Sequence, residues 1–231
     1  MPRNERAPDP RPARTKAAIF AAARDLTADD GEVTVNALAK RAGVSRAAFY
    51  SHFSGLDDLM GAMLQQMFET AWTRGSEYQR EVDDLHRAVL FGFGVLASYV
   101  ERHHSFLRGA LEWKFSHRTY MDMVEEMAGM HAQAIEMVAR DAPEGTDPTT
   151  TGRLIASSTL AEATHWLVAT EEAARAGEEL DGTGLLETIL RNAPSWYTGI
   201  APEDEVPAAE MMEICRRAGV GEAHDIGHAP R

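Results

Sequence analysis

Apolar residues recur at three- and four-residue spacing along almost the whole chain, the period of α-helices that each lay one face on a core. The first such stretch carries Ile19, Ala22, Ala23 and Leu26 and ends at Gly31; the second carries Val35, Leu38, Ala39 and Ala42 behind Thr34, a good N-cap, and stops at Gly43. A third opens at Ser45 and alternates between packing (Ala48, Phe49, Phe53) and outward positions (Arg46, Ala47, Tyr50, His52). A long stripe follows, Leu56, Leu59, Met60, Met63, Leu64, Met67, Phe68, Ala71 and Trp72, starting from a Ser54/Asp57 capping box. The spacing predicts further helices over 83–101 (Leu85, Val89, Leu90, Phe93, Leu96, Val100), 105–117 and 120–140 (Met123, Met127, Met130, Val138). After the loop DAPEGTDP, Asp147 with Pro148 is a cap followed by Pro in the first turn, and predicts a long helix to about Ala176. The last predicted helix is 185–197. Residues beyond Gly199 are polar and Pro-rich apart from Met211, Met212 and Ile214, which predicts a partly disordered tail. No strand pattern appears, so the expected fold is all-α. It divides into an N-terminal arm (1–13), a three-helix unit (14–54), a larger helical domain (55–199) and the tail (200–231).

The chemistry concentrates in TVNALAKRAGVSRAAFYSHF, residues 34–53. Two short helices with a tight Gly-containing turn make a helix-turn-helix, whose second helix enters the major groove of DNA. Gly43 suits the turn because it tolerates positive φ without a Cβ clash, and Val44 plugs the angle between the helices. Ser45 has two expected tasks: capping the second helix, and meeting a phosphate at that helix's positive end. Arg46 is the expected base reader, since an Arg fork bonds guanine O6 and N7 together, worth roughly 1–3 kcal/mol of discrimination. Ala47 suits contact with a thymine methyl. Tyr50 and His52 are expected on phosphates, which fix register without reading sequence.

On these residues the chain resembles the tetracycline-repressor (TetR) family of one-component bacterial regulators. The resemblance runs upstream through TKAAIFAAARDLTADDGEVTV and downstream through HFSGLDDL, about 45 residues in all, with the AGVS and FYSHF blocks at the family's distance. It implies an N-terminal DNA-binding domain of three helices and a helical body that binds an effector and dimerises. The chain departs from the pattern at Leu56, where family members usually carry a Lys that touches phosphate. Its neighbours Gly55, Asp57 and Asp58 do not replace the cation. A weaker non-specific phosphate term is the expected consequence, with more reliance on the arm.

Charge divides the chain in the same place. Residues 1–54 hold nine Lys+Arg against six Asp+Glu, a net of +3, and residues 55–231 hold fourteen against thirty, a net of −16; together they give the whole-chain −13. Only the N-terminal face can therefore approach a duplex. The arm carries Arg3, Arg6 and Arg11, with four prolines before Ala13 and no apolar run, and reads equally as a solvated tail or a minor-groove contact over residues 1–10. Arg14 and Thr15, at the start of the first helix, are expected on the DNA backbone, as is Thr34. One cysteine, Cys215, excludes an intramolecular disulfide, and no run of about eighteen apolar residues is present to span a membrane. The expected compartment is the cytoplasm.

The body is expected to hold a small, largely apolar effector, not strongly anionic given the −16 charge. Met63, Met67, Phe93, Leu96, Tyr99, Trp113, Phe115, Met123, Met127, Met130 and Trp166 are the candidate lining, since Met repacks around varied shapes, although the same spacing serves an ordinary core. Glu112, Glu162 and His165 are candidate polar contacts. Gly92 and Gly94 inside a predicted helix suggest close helix approach or room for a ligand. The 148–176 helix is rich in small residues and apolar on more than one side. With 185–197 it would form an intersubunit four-helix bundle, with Ala161, His165, Leu186, Ile189, Leu190, Ala193, Trp196 and Tyr197 at the interface, or else both helices lie in a monomer core. The expectation is a homodimeric repressor released by ligand from a palindromic operator, with two alternatives: an activating or effector-independent DNA binder, and, more remotely, a metal protein or enzyme using His103, His104, His117 and His131 with Glu112, Glu125 and Glu126. That set has no ligand spacing such as HExxH and reads as exposed helix-end residues. No cofactor or metal is expected, and no catalysis.

Overall fold

Side chains of Thr34, Ser45, Asp84 and Asp147 cap four of the described helices. The computed structural model describes residues 11–28, 33–82, 84–111 and 117–219, and among these the chain is all-α, with no strand. Three short helices form the N-terminal unit: α1 (Arg11–Ala28), α2 (Val35–Ala42) and α3 (Arg46–Tyr50). The connecting helix α4 (Leu56–Glu81) leads to α5 (Leu85–Arg102), α6 (His104–Ala110), α7 (His117–Met137) and α8 (Pro148–Ala169). The remainder is α9 (Glu171–Arg175), α10 (Thr183–Asn192), α11 (Ser195–Thr198) and α12 (Ala208–Arg217). Asp84 accepts from the Arg87 N–H at 3.2 Å and Asp147 from the Thr150 N–H at 2.9 Å, which starts α5 and α8 where those side chains stand.

Several expected boundaries change. α1 begins at Arg11, so residues 11–13 are helical and not part of an arm; residues 1–10 and the expected stop at Gly31 lie outside the described residues. The capping box uses Asp58 instead of Asp57: the Ser54 N–H and hydroxyl both donate to Asp58 Oδ2, at 2.7 and 3.1 Å, while Gly55 takes the N-cap position in extended backbone. α8 stops at Ala169 because the Thr170 hydroxyl turns back to the Trp166 carbonyl at 2.7 Å, and the chain restarts as α9. Pro194 splits the last predicted helix: it has no N–H to offer, and Ala193 before it is extended at ψ 152°. The tail prediction is overturned for residues 200–219. These include α12, an amphipathic helix whose Met211, Met212 and Cys215 are wholly buried.

α5 is the axis of the body. Every residue from Phe93 to Val100 is buried, and α4, α6, α8, α10, α11 and α12 all pack against it. Gly94 permits the approach of α12: a Cβ there would lie 2.9 Å from both Cys215 Sγ and Met211 Cγ. Gly92 faces open space, so of the two glycines only Gly94 marks close packing. α7 and α8 are the most closely packed pair, and Gly152 sits at their contact, where a Cβ would stand 2.6 Å from the Ala128 carbonyl oxygen. The N-terminal unit joins the body through α1 on α6. At that joint Gly109 faces Thr27 so closely that a Cβ would meet its Cγ2 at 2.2 Å.

Candidate nucleic-acid interface and body core

The head is built on three aromatic rings. Phe20 of α1 stacks on Phe53 with centroids 5.9 Å apart, and Phe53 meets Phe49 of α3 at 5.7 Å; all three are buried. That cluster fixes α3 against α1, while the turn fixes it against α2. Gly43 adopts φ +67°, the left-handed region, and its N–H donates to the Lys40 carbonyl at 3.3 Å. The Val44 N–H donates to the Ala39 carbonyl at 2.9 Å, and the half-buried Val44 packs against the core. Thr34 accepts from the Ala37 N–H at 3.1 Å and Ser45 from the Ala48 N–H at 3.0 Å, the two caps expected from sequence.

With Phe49 anchored inward, α3 turns its other face to solvent. Arg46, Ala47 and Tyr50 are exposed, and His52 is half-buried with its ring 6.2 Å from that of Phe53. The Arg46 guanidinium lies over the Tyr50 ring, 6.0 Å from its centroid, an arrangement that limits its rotamers while leaving its N–H fork open. Because Ser45 uses an oxygen lone pair for its cap, its O–H remains able to donate to a phosphate. Arg14 is exposed and Thr15 half-buried in the first turns of α1. Lys40, exposed in the last turn of α2, is a further cation that helical spacing did not single out. Leu56 begins α4 half-buried against the head core, where its apolar side chain is used for packing.

In the body, Met63, Phe93, Leu96, Tyr99 and Met127 are buried in the common core, and Met123, Met130 and Trp166 are half-buried against it. Trp113, Phe115 and Glu112 lie outside the described residues, as does the side chain of Met67. The polar group that sequence reading misplaced is His131. It is not an exposed helix-end residue: its ring lies 5.2 Å from Phe93 and 5.9 Å from Tyr197, and its Nδ1 is 2.9 Å from the Tyr197 hydroxyl. Its Nε2 is buried with no hydrogen-bond partner. Burial lowers its pKa from 6.5 to about 4, so the ring is neutral at physiological pH. Desolvation likewise pushes the Tyr197 phenol well above its ordinary range. Helical spacing carries no signal for this pair, which lies sixty-six residues apart in the chain.

His104 is also buried rather than exposed. Its Nε2 is 3.1 Å from the Leu167 carbonyl and 2.9 Å from the Thr170 hydroxyl, and desolvation lowers its pKa. His103 is half-buried with its ring 4.2 Å from Tyr99, and the side chain of His117 is not described. Glu125 is exposed and paired with Arg153 at 2.7 Å; Glu126 is exposed; half-buried Glu162 lies 3.9 Å from exposed His165. Among the described residues no three His, Cys, Asp or Glu side chains converge as a metal site would require.

The expected interface set separates into two groups. Leu186, Ile189, Leu190 and Tyr197 are buried within their own chain, because the apolar stripe of α10 is taken up by α5, α8 and α12. Ala193 and Trp196 are half-buried against the same core. On α8, Ala161 and His165 are exposed, on a helix that also exposes Leu154 (67%) and Val168 (51%). No described helix is long and apolar enough to cross a membrane.

Residues 19–63 match the family profile of bacterial regulatory proteins of the tetR family. No curated protein matches the chain in sequence. Among solved structures, a regulator assigned to the TetR family from Syntrophomonas wolfei superposes with a TM-score of 0.63 at 14% identity, covering 82% of this chain and 98% of its own. The fatty acid degradation regulator FadR of Bacillus halodurans gives 0.62 at 15% identity, covering 84% and 98%. FadR of Thermus thermophilus, a TetR-family transcriptional repressor solved with lauroyl-CoA, gives 0.61 at 19% identity, covering 83% and 97%.

Proposed function

We propose that this chain, whose residues 19–63 match the tetR-family profile, is a homodimeric, ligand-responsive repressor whose two heads grip a palindromic operator. The observation that carries this reading is the capped helix-turn-helix, with Phe49 locked inward and Arg46, Ala47 and Tyr50 exposed on one short helix. Arg46 reads a base; Ser45, Tyr50, His52, Thr34, Arg14 and Thr15 hold the backbone. A five-residue helix reads few bases, so a twofold pair covering half-sites about 34–36 Å apart supplies the missing specificity. The exposed apolar residues of α8, Leu154 and Val168 with Ala161 and His165 beside them, form the twofold contact in this reading. α10 supports it from beneath through Leu186, Ile189 and Leu190.

The effector is a small, largely apolar molecule held among Phe93, Leu96, Met123, Met127 and Trp166, with one polar atom meeting the unpartnered Nε2 of His131. A neutral imidazole in an apolar wall suits a neutral ligand group, since it can donate or accept one hydrogen bond. The Thermus neighbour's complex with lauroyl-CoA supports a ligand that carries an apolar acyl chain in a body of this fold. Transmission runs along α4, about 39 Å long at 1.5 Å per residue. Its N-terminal end is at the head, and near its other end Tyr78 stacks on Phe91 of α5, with centroids 4.0 Å apart. A ligand that prefers one tilt of α4 changes the head separation, and the shift is bounded by its differential affinity for the two states. The protein acts in a reducing cytoplasm and performs no catalysis.

Selection of short genomic fragments by the purified protein tests the reading. An enriched imperfect palindrome is expected. Enrichment of single half-sites without symmetry would refute the dimer, and no enrichment at low salt would refute sequence-specific binding.

A further inference from the structure

A cleft lies away from the body core, at the joint where the head meets the body. Arg24 and Asp25 of α1 form one wall; Glu101 to Phe106, spanning the end of α5 and the start of α6, form another; Ala174 and residues 178–180 close the third. The cleft holds about 570 Å³, within the range of small-molecule sites.

Among its wall residues, Arg24 and His104 each hold a buried polar atom with no hydrogen-bond partner. Arg24 Nη1 is buried without a hydrogen-bond partner, and so is His104 Nδ1. Their chemistry is complementary. Arg24 is always a donor. His104 places its Nε2 against a carbonyl oxygen, an acceptor only, so that nitrogen carries the proton and Nδ1 is left as a lone-pair acceptor. His104 is itself 4% exposed. Of the acids in the walls, Asp25 pairs with Arg41 at 3.6 Å while its charge still acts on Arg24, Glu101 is engaged by Arg216 at 2.9 Å and by the Gly182 N–H at 2.6 Å, and Glu178 and Glu179 are exposed to solvent. A guanidinium with a buried, unbonded Nη1 in a partly desolvated wall is costly for folding alone, and desolvation, only partly offset by Tyr99 and Asp25, lowers its pKa.

We infer that this cleft is a separate binding site for a small organic acid that also carries a hydroxyl, its anionic oxygen accepting from Arg24 Nη1 and its hydroxyl donating to His104 Nδ1. The site is distinct in place and chemistry from the apolar effector site proposed within the body core. It joins α1 to α6 beside the Gly109–Thr27 contact, so an occupant bears directly on how the head is seated. The binding itself does not depend on the DNA-binding role, and its test contains no DNA.

The anionic group is a carboxylate or a phosphate monoester, and two probes separate these: glycerate and glycerol 3-phosphate, titrated calorimetrically into the DNA-free protein at constant ionic strength. Propionate, an acid without the hydroxyl, is the control. One of the two probes saturates at one per chain, and if it is glycerate, propionate binds about tenfold more weakly. Arg24→Met, which keeps the apolar stem, weakens binding by roughly tenfold to a hundredfold. The same variant without ligand keeps or raises its Tm, because removing a partly desolvated charge relieves a cost, whereas a structural Arg would leave a lower Tm. Failure of both probes to saturate would leave ordered water as the occupant and overturn the inference. Equal affinity in Arg24→Met would do the same, as would propionate binding as tightly as glycerate, a comparison that needs no variant.

Discussion

Replacing His131 with Phe should flatten the dependence of stability on acid. The ring is buried between Phe93 and Tyr197 and its pKa falls from 6.5 to about 4 for that reason alone. Between these two values the unfolded chain binds a proton that the folded chain refuses. The stability tied to neutral His131 is therefore whole above about pH 6.5 and is lost as pH falls toward 4. The full shift corresponds to about 3 kcal/mol, of which about 2 kcal/mol is already lost at pH 5. Urea unfolding at pH 7.5 and at pH 5, for wild type and His131→Phe, measures this as a difference of differences. His104, lowered in the same direction, contributes equally to both proteins and cancels. The variant also strands the Tyr197 hydroxyl, which lowers stability at both pH values without altering the slope. Wild type should lose about 2 kcal/mol more than the variant on going to pH 5. Parallel losses, within about 0.5 kcal/mol, would mean that the folded protein protonates His131 as readily as the unfolded one does, and the apolar setting assigned to it would be wrong.

Arg46→Ala should weaken binding to the selected operator by about 1–3 kcal/mol and barely affect random duplex; equal losses by fluorescence anisotropy would assign Arg46 to phosphate alone. Leu56→Lys should steepen the plot of log affinity against log salt by about one unit, and an unchanged slope would place the start of α4 away from the duplex. Gly152→Ala forces a methyl against the α7 backbone at the Ala128 carbonyl and should cost about 1–3 kcal/mol in chemical denaturation; no change would show that α7 and α8 separate freely. Leu154→Asp should shift the protein from dimer to monomer in sedimentation velocity at micromolar concentration with its helical content intact, and a persisting dimer would move the twofold contact off α8.

The head was legible from sequence because its determinants are local. Thr34, Gly43 and Ser45 act within three or four residues of themselves, so residue type alone gives the caps and the turn. The body was legible as helices but not as neighbours. His104 and His131 looked exposed because spacing reports which face a residue shares and not what later packs on it. Here Leu167 and Thr170 cover His104, and Tyr197 covers His131. The same blindness hid α12: prolines and acids around Met211 and Met212 suggest a tail, yet the helix is held by the notch that Gly94 leaves in α5. Apolar periodicity continues across Pro194 to Trp196 and Tyr197, so spacing alone hides the break that this residue makes between α10 and α11.

The docking of α12 also sets an order of events during synthesis. α5 is made early, but its face at Gly94 and Phe91 stays open until Met211 and Cys215 arrive more than a hundred residues later, with Arg216 then bridging Glu101 and Asp181. The head closes on its own short-range contacts while the ribosome is still translating the body. The body cannot complete its core until α12 has been released, and in that interval the nascent chain carries a folded N-terminal unit joined to an open, apolar body.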